Sequence, residues 1–402
     1  LTSGTTTRYH PGNGRVNCVA VDPADPNTIY VGTPNGGLWR TTNGGGIWNA
    51  LFTDLPSLGV SGIAIDPTNT NVIYAATGDG DGRDSYSMGV IKSTDGGGTW
   101  ATTGLDWSLA QVRTTRKLLM HPTDPQILFC ATNDGLWKTA NAGTSWLRVA
   151  NGSFFDIEFR PGNPAIMYAC TDKFHWSTDG GNTFIAIDIG LPPDDQVNRM
   201  SIAVTPADGQ MVYVLCGRED DAGFQGLYRS INGGATFSQR STTPNIFGYQ
   251  SDGSDDGGQS WYDIALAADP ANANNIYAAG INVWKSINGG TSWVIQSHWT
   301  HPSGIGYTHA DIHALEVLNG DIYCGSDGGL FVSTNDGGDW TDLSPGLDIS
   351  QFYRFGGSEL NTDMVIGGTQ DNGTNLLDGG IWTHVIGADG MEAAVDPTDA
   401  LI

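Results

Sequence analysis

Seven copies of one short pattern, Ser/Thr-x-Asp/Asn-x-Gly-x-x-Trp/Phe, punctuate this chain. They run Thr41–Trp48, Ser93–Trp100, Thr139–Trp146, Ser177–Phe184, Ser230–Phe237, Ser286–Trp293 and Ser333–Trp340. The closing aromatics stand 52, 46, 38, 53, 56 and 47 residues apart. A period of that size marks an array of one supersecondary unit. Such a unit is too small to bury a core alone, so the 402 residues read as one repeat domain, 1–402.

Each unit follows one grammar. An alternating strand ends in an Asp-Pro turn, as in Val19-Ala-Val-Asp-Pro23. A second strand follows (Thr28–Thr33), then a Gly turn and a third strand (Gly37–Arg40). The repeated turn leads into a fourth strand that opens on the aromatic. Alternation with β-branched and aromatic residues predicts strands throughout. Four antiparallel strands per unit, repeated radially, make an all-β propeller. First strands are expected near Arg15, Ser61, Arg116, Phe155, Met200, Tyr262, Ile312 and Phe352. That is eight complete units, the eighth with a decayed turn (Asn375–Trp382), and a partial ninth from Glu392. The reading expects the natural protein to continue beyond Ile402, rather than a terminal strand completing a blade.

The repeated turn has a structural explanation. Asp or Asn accepts backbone N–H groups of its own turn, Gly supplies left-handed backbone angles, and the aromatic packs between sheets. In a four-stranded meander, the Asp-Pro turns and the repeated turns share one face. The other face carries the connections between units and the second-to-third turns. Every long departure from the repeat falls there: Gly78–Tyr86, Gly104–Thr115, Gly217–Phe224, Pro244–Trp261 and Gln296–Thr308. Extended loops on a rigid scaffold are where binding usually resides.

Composition narrows the partners. The net charge is −25, with lysine at only five positions, which argues against a phosphate backbone as ligand. No run of 18 apolar residues exists, so no membrane insertion is expected. Four of the five cysteines (Cys130, Cys170, Cys216, Cys324) recur at the second-strand position where other units place Ala or Gly, as small buried residues.

The repeated turn resembles the Asp-box, or BNR, repeat of sialidases, xyloglucan-hydrolysing propellers, photosystem assembly factors and sortilin-type receptors. Pro11–Pro23, Gly368–Gly373 and Ala388–Gly390 resemble secreted, sortilin-like repeat proteins of environmental bacteria. The resemblance implies a secreted or cell-surface protein. The sialidase likeness lacks its Arg-Ile-Pro element. The xyloglucanase likeness implies a catalytic Asp in an Arg-Thr-Asp-x-Gly-Gly turn. Here Gly32-Thr-Pro-Asn-Gly-Gly37 puts Pro34 at that position. The nearest acidic equivalents are Asp79, Asp327 and Asp371.

Other residues carry chemistry by type. His309, Asp311 and His313 alternate, so in a strand they project to one face and can hold a transition metal. Asp252, Asp255 and Asp256 offer oxygen ligands to calcium in a flexible loop, though no cofactor is required. Tyr86, Tyr249 and Trp261 lie in or beside enlarged loops, as sugar-stacking surfaces. The expected contact set is Asp79, Arg83, Tyr86, Arg218, Tyr249, Trp261, His309, Asp311, His313, Asp327 and Asp371. The leading reading is a propeller that binds a glycan or an extracellular protein on that face. Its alternatives are a glycoside hydrolase using two of Asp79, Asp311, Asp327 and Asp371, or a structural module of an extracellular assembly.

Overall fold

The computed structural model describes residues 2–3, 12–396 and 398. It is an all-β propeller of eight four-stranded antiparallel meanders. The first strands are Cys18–Asp22, Val60–Ile65, Thr115–Met120, Asp156–Phe159, Val197–Val204, Ala265–Ala268, Ile312–Leu318 and Phe352–Gly357. All start within three residues of the expected positions. The described part of the partial ninth unit forms no strand. Thr2–Ser3 pairs in parallel with Ile381–Ile386, as a fifth strand on the outer edge of unit 8. No helix is long and apolar enough to cross a membrane.

First strands of units 1 to 7 pack in ring order, and the first strand of unit 7 returns to that of unit 1. Val16 N–H donates to Ser326 O at 3.0 Å, and Trp48 Nε1 to Leu343 O at 2.8 Å, across that closing seam. Val16, Val31, Trp48, Tyr323 and Leu330 form its apolar filling. Unit 8 stands apart from this ring. Its first strand is largely exposed, whereas those of units 2 and 5 are mostly buried.

Second strands inside the ring are buried on both faces, as in Ile73–Thr77 and Leu128–Thr132. Each sheet is sandwiched between two neighbours, so these strands are apolar throughout rather than alternating. Cys130, Cys170, Cys216 and Cys324 sit there, fully buried and unpaired. Cys18 is a half-buried free thiol.

The repeated turn closes on itself. Ser177 Oγ accepts Gly181 N–H at 2.9 Å and donates to Asp179 Oδ1 at 2.8 Å; Asp179 Oδ1 also accepts Thr183 N–H at 3.0 Å. The same bonds recur from Thr41 to Ser333. Neighbouring units then grip the turn from outside. Arg40 donates to Gly96 O at 2.6 Å, and Lys138 to Gly180 O at 2.7 Å. Tyr74 donates to Ala142 O, and Tyr168 to Gly233 O, both at 3.1 Å. The turn is thus a staple between units. Ser177→Ala strands a buried N–H, and urea titration is expected to show about 1–2 kcal/mol of lost stability.

Candidate functional site

The connection face carries two layers of polar side chains. The lower layer is a plug made by the enlarged loop of unit 2. Asp79, 0% exposed, pairs with Arg15 Nη2 at 2.5 Å and accepts Asn17 Nδ2 at 3.2 Å. It also accepts the N–H groups of Asp81 and Asp84, which folds the loop inward. Asp81 then crosses the ring to Arg199 Nη2 of unit 5 at 2.7 Å and His313 Nδ1 of unit 7 at 2.9 Å. Burial opposes its ionisation, but Arg199 and His313 outweigh burial and hold its carboxyl well below the usual range. The axial channel is therefore closed at this end by ion pairs.

The upper layer belongs to units 6, 7 and 8. Asp327 lies in the second-to-third turn of unit 7, 1% exposed. Its Oδ1 accepts His313 Nε2 at 2.9 Å; its Oδ2 accepts Tyr262 Oη–H at 2.7 Å and Gln370 Nε2 at 3.0 Å. Burial pulls it up, but the charge and hydrogen bond of His313 prevail and bring it down to about 2. Asp371, in the matching turn of unit 8, goes the other way. Burial, then the charge of Asp327, push it up to about 8. Asp311 is held well above the carboxylate range by burial and by Asp263 and Asp327. One oxygen from each of Asp311, Asp327 and Asp371 lies within 4.8 Å of the others. Carboxylates that close cannot all ionise, so the cluster holds one charge and shared protons.

Local backbone geometry serves this cluster. Asp311 and Asp371 have φ of 62° and 53°, in the left-handed region that costs a non-glycine residue about 1–2 kcal/mol. Both are held there by side-chain bonds. Gln259 Nε2 bridges Asp311 Oδ1 at 2.5 Å and Asp263 Oδ2 at 3.3 Å. Asp389 Oδ1 accepts Asp371 N–H at 2.9 Å, and Asn372 Nδ2 donates to Asp327 O at 2.9 Å.

Above the cluster opens a cavity of roughly 550 Å³. Its walls are Tyr249, Trp261, Trp299, Tyr307 and Tyr353, and its acidic lining is Asp311, Asp371 and Asp389. Trp261 is 61% and Tyr249 48% exposed, so flat apolar faces meet solvent beside proton-carrying carboxyls. Planar faces next to a few polar groups suit pyranose rings.

The candidates separate accordingly. Tyr249, Trp261, His309, Asp311 and Asp371 line the cavity, with Asp327 buried beneath. Asp79 and His313 are removed from solvent by their partners, so neither is open to a ligand. Arg218 spends its guanidinium on Asp221 of its own turn, at 2.7 and 2.9 Å. Arg83 and Tyr86 are exposed and line no part of this cavity.

The expected metal sets are not assembled either. His309, Asp311 and His313 do not converge, because both nitrogens of His313 are taken by Asp81 and Asp327. Asp255 accepts Tyr249 N–H and Asp252 accepts Ser254 N–H, so both serve their own loop. Among the described residues, the only carboxylate or imidazole group with ion-holding spacing is Asp311, Asp327 and Asp371. Asp327 there already accepts from His313, Tyr262 and Gln370.

The residues that sequence reasoning passed over are Gln259, Gln370, Tyr353 and Asp389. Gln370 and Asp389 flank positions already singled out, and Asp81 lies inside an insertion that was. No local signal shows that Asp81 reaches across the ring.

No family model matches the chain. It is similar to the xyloglucanase Xgh74A of Acetivibrio thermocellus, 24% identical over 356 residues, covering 76% of this chain and 35% of that protein. It is also similar to a xyloglucanase of Hypocrea jecorina, 26% identical over 287 residues, covering 61% and 33%. The chain thus spans about a third of the length of these curated relatives. Among solved structures, it resembles the GH74 xyloglucanase from Xanthomonas campestris, with a TM-score of 0.67 and 17% identity over 90% of this chain and 59% of that one. A YCF48 structure bound to D1 peptide gives a TM-score of 0.55 and 13% identity, over 82% and 96%. At these identities the structural likeness speaks for the propeller alone.

Proposed function

We propose that this propeller is an exported protein that takes a polysaccharide chain in the aromatic cavity and cleaves it with the carboxyls beneath, as a glycoside hydrolase. The observation that carries the reading is the split within one carboxyl cluster. Asp327 is charged and buried, while Asp371 keeps a proton at neutral pH and faces the cavity. Similarity to xyloglucanases supports a β-linked, xyloglucan-type substrate.

In the proposed step, Asp371 gives its proton to the glycosidic oxygen as the bond to the anomeric carbon breaks. Water attacks that carbon from the face opposite the leaving oxygen, and its proton leaves through the solvent-exposed carboxylate Asp389. One proton enters the leaving sugar and one leaves the water, so Asp371 ends ionised and Asp389 protonated until solvent resets both. Asp327 touches no substrate. Its negative charge beside Asp371 keeps that carboxyl protonated until the transfer.

The test is reducing-sugar release from xyloglucan, mixed-linkage glucan and mannan. Release from a β-glucan supports the reading, and no release from any of them counts against it. Capture without cleavage is the second reading, favoured by the exposed aromatic walls. Both readings expect Trp261→Ala to weaken polysaccharide retention by roughly tenfold or more in affinity electrophoresis, since a stacking face is worth about 1–3 kcal/mol. Retention unchanged by this variant would place the glycan elsewhere.

A further inference from the structure

We infer that His313 is a positioning residue for the carboxyl cluster: clasped at both ring nitrogens, it keeps Asp327 the charged member and so leaves the protons on Asp311 and Asp371. The geometry requires it. Nδ1 lies 2.9 Å from Asp81 Oδ2, and Nε2 lies 2.9 Å from Asp327 Oδ1. An ionised carboxylate only accepts, so both nitrogens must donate, which makes the ring an imidazolium. The side chain is 0% exposed, and its ring packs edge-on to Tyr262 with centroids 4.7 Å apart. Both ring nitrogens are engaged, so the ring has no free polar atom to turn toward water.

The charges facing it come from every neighbouring element. Unit 2 supplies Asp81, which is itself held by Arg199 of unit 5. Unit 6 supplies Asp263 and Tyr262, and its own unit supplies Asp327. Arg15 reaches the same network through Tyr262 Oη, at 2.7 Å, and Arg116 feels Asp81. Of these groups, Asp81 and Asp327 hydrogen-bond to the ring. Asp327 therefore has a fixed cationic donor on one oxygen, whereas Asp371 has none and keeps its proton against Asp327. The unit-2 insertion thus acts on the cavity from a distance: through Asp81 it sets the charge of the imidazole, and through the imidazole the charge order of the cluster.

The effect on turnover rests on the hydrolytic reading; the proton placement does not. The first arm is therefore spectroscopic. Histidine-¹⁵N-labelled full chain is followed in long-range ¹H–¹⁵N spectra from pH 6 to 9, with His313→Gln identifying the ring signals. The expected result is a doubly protonated His313 at pH 7.5. Asp81→Asn is expected to move its titration down by about one pH unit or more, as loss of one close carboxylate should. Asp363→Asn, exposed in the first-to-second turn of unit 8 on the opposite face, is expected to leave it unchanged. A neutral His313 ring at pH 7.5, or no response to Asp81→Asn, overturns the proposal. If His313→Gln does not fold, Asp81→Asn alone identifies the signal by its shift.

The second arm is the pH profile on whichever glucan the wild type cleaves. Asp81→Asn is expected to move the alkaline limb down by about one pH unit with little change in KM, because Asp327 then competes for the proton of Asp371. Equal loss at every pH, with no movement of the limb, would mean a purely structural role and overturn the proposal. If the wild type cleaves nothing, the hydrolytic reading fails, and the spectroscopic arm still decides the positioning.

Discussion

Asp371→Asn is expected to lower polysaccharide cleavage by about 10²–10⁴-fold while leaving glycan retention intact. The substitution keeps the shape of the side chain and removes the transferable proton. The pH dependence gives the sharper check. Asp371 titrates at about 8 in the folded protein, because burial and the nearby charge of Asp327 disfavour its ionised form. A general acid works while protonated, so wild-type activity should hold below pH 8 and fall above it. Stability follows the same sign. A carboxyl raised from about 3.9 in the unfolded chain contributes stability below that value. It loses that contribution as pH rises through about 8. Urea midpoints of Asp371→Asn should therefore depend less on pH between 4 and 8 than those of the wild type. Unchanged cleavage by this variant would remove Asp371 from the chemistry.

The largest loss of stability is expected from Arg15→Met. Arg15 and Asp79 are 1% and 0% exposed, and the guanidinium also serves Asp84 at 3.0 Å and Tyr262 Oη at 2.7 Å. Removing the cation leaves Asp79 buried without its counter-charge, a change that typically costs about 3–5 kcal/mol. Arg15→Met combined with Asp79→Leu should recover much of that, because an apolar pair has no unpaired charge to bury. Thermal or urea unfolding of the three variants decides it. A single variant as stable as the wild type would show that the plug is not held by this pair. Because Arg15 reaches Tyr262 and through it Asp327, the single variant should also disturb the cavity.

Much of this molecule is legible along the chain. Ser/Thr, Asp/Asn, Gly and aromatic residues at fixed spacing satisfy one another within a single turn, so the repeated turns, the strands around them and the eight units follow from local chemistry. Meander topology follows too, and with it the face that carries Asp311, Asp327, Asp371, Tyr249 and Trp261. Asp311, Asp327 and Asp371 sit beside a strand start or in a turn whose place is set by the repeat, whereas Tyr249 and Trp261 come from the Pro244–Trp261 insertion on that face.

What tertiary structure alone decided is which candidates meet. Asp79, Asp327 and Asp371 occupy like positions in units 2, 7 and 8, yet one is sealed by Arg15, one is charged beside His313, and one keeps its proton under an open cavity. The difference arises from contacts spanning 14 to 247 positions of the chain, brought together only when unit 7 closes on unit 1 and unit 8 leans its turn over the mouth. The charge of a carboxyl is set by burial and by the sign of what lies within a few ångströms. A repeat places residues on a face, but it does not say which neighbours the closed ring will supply.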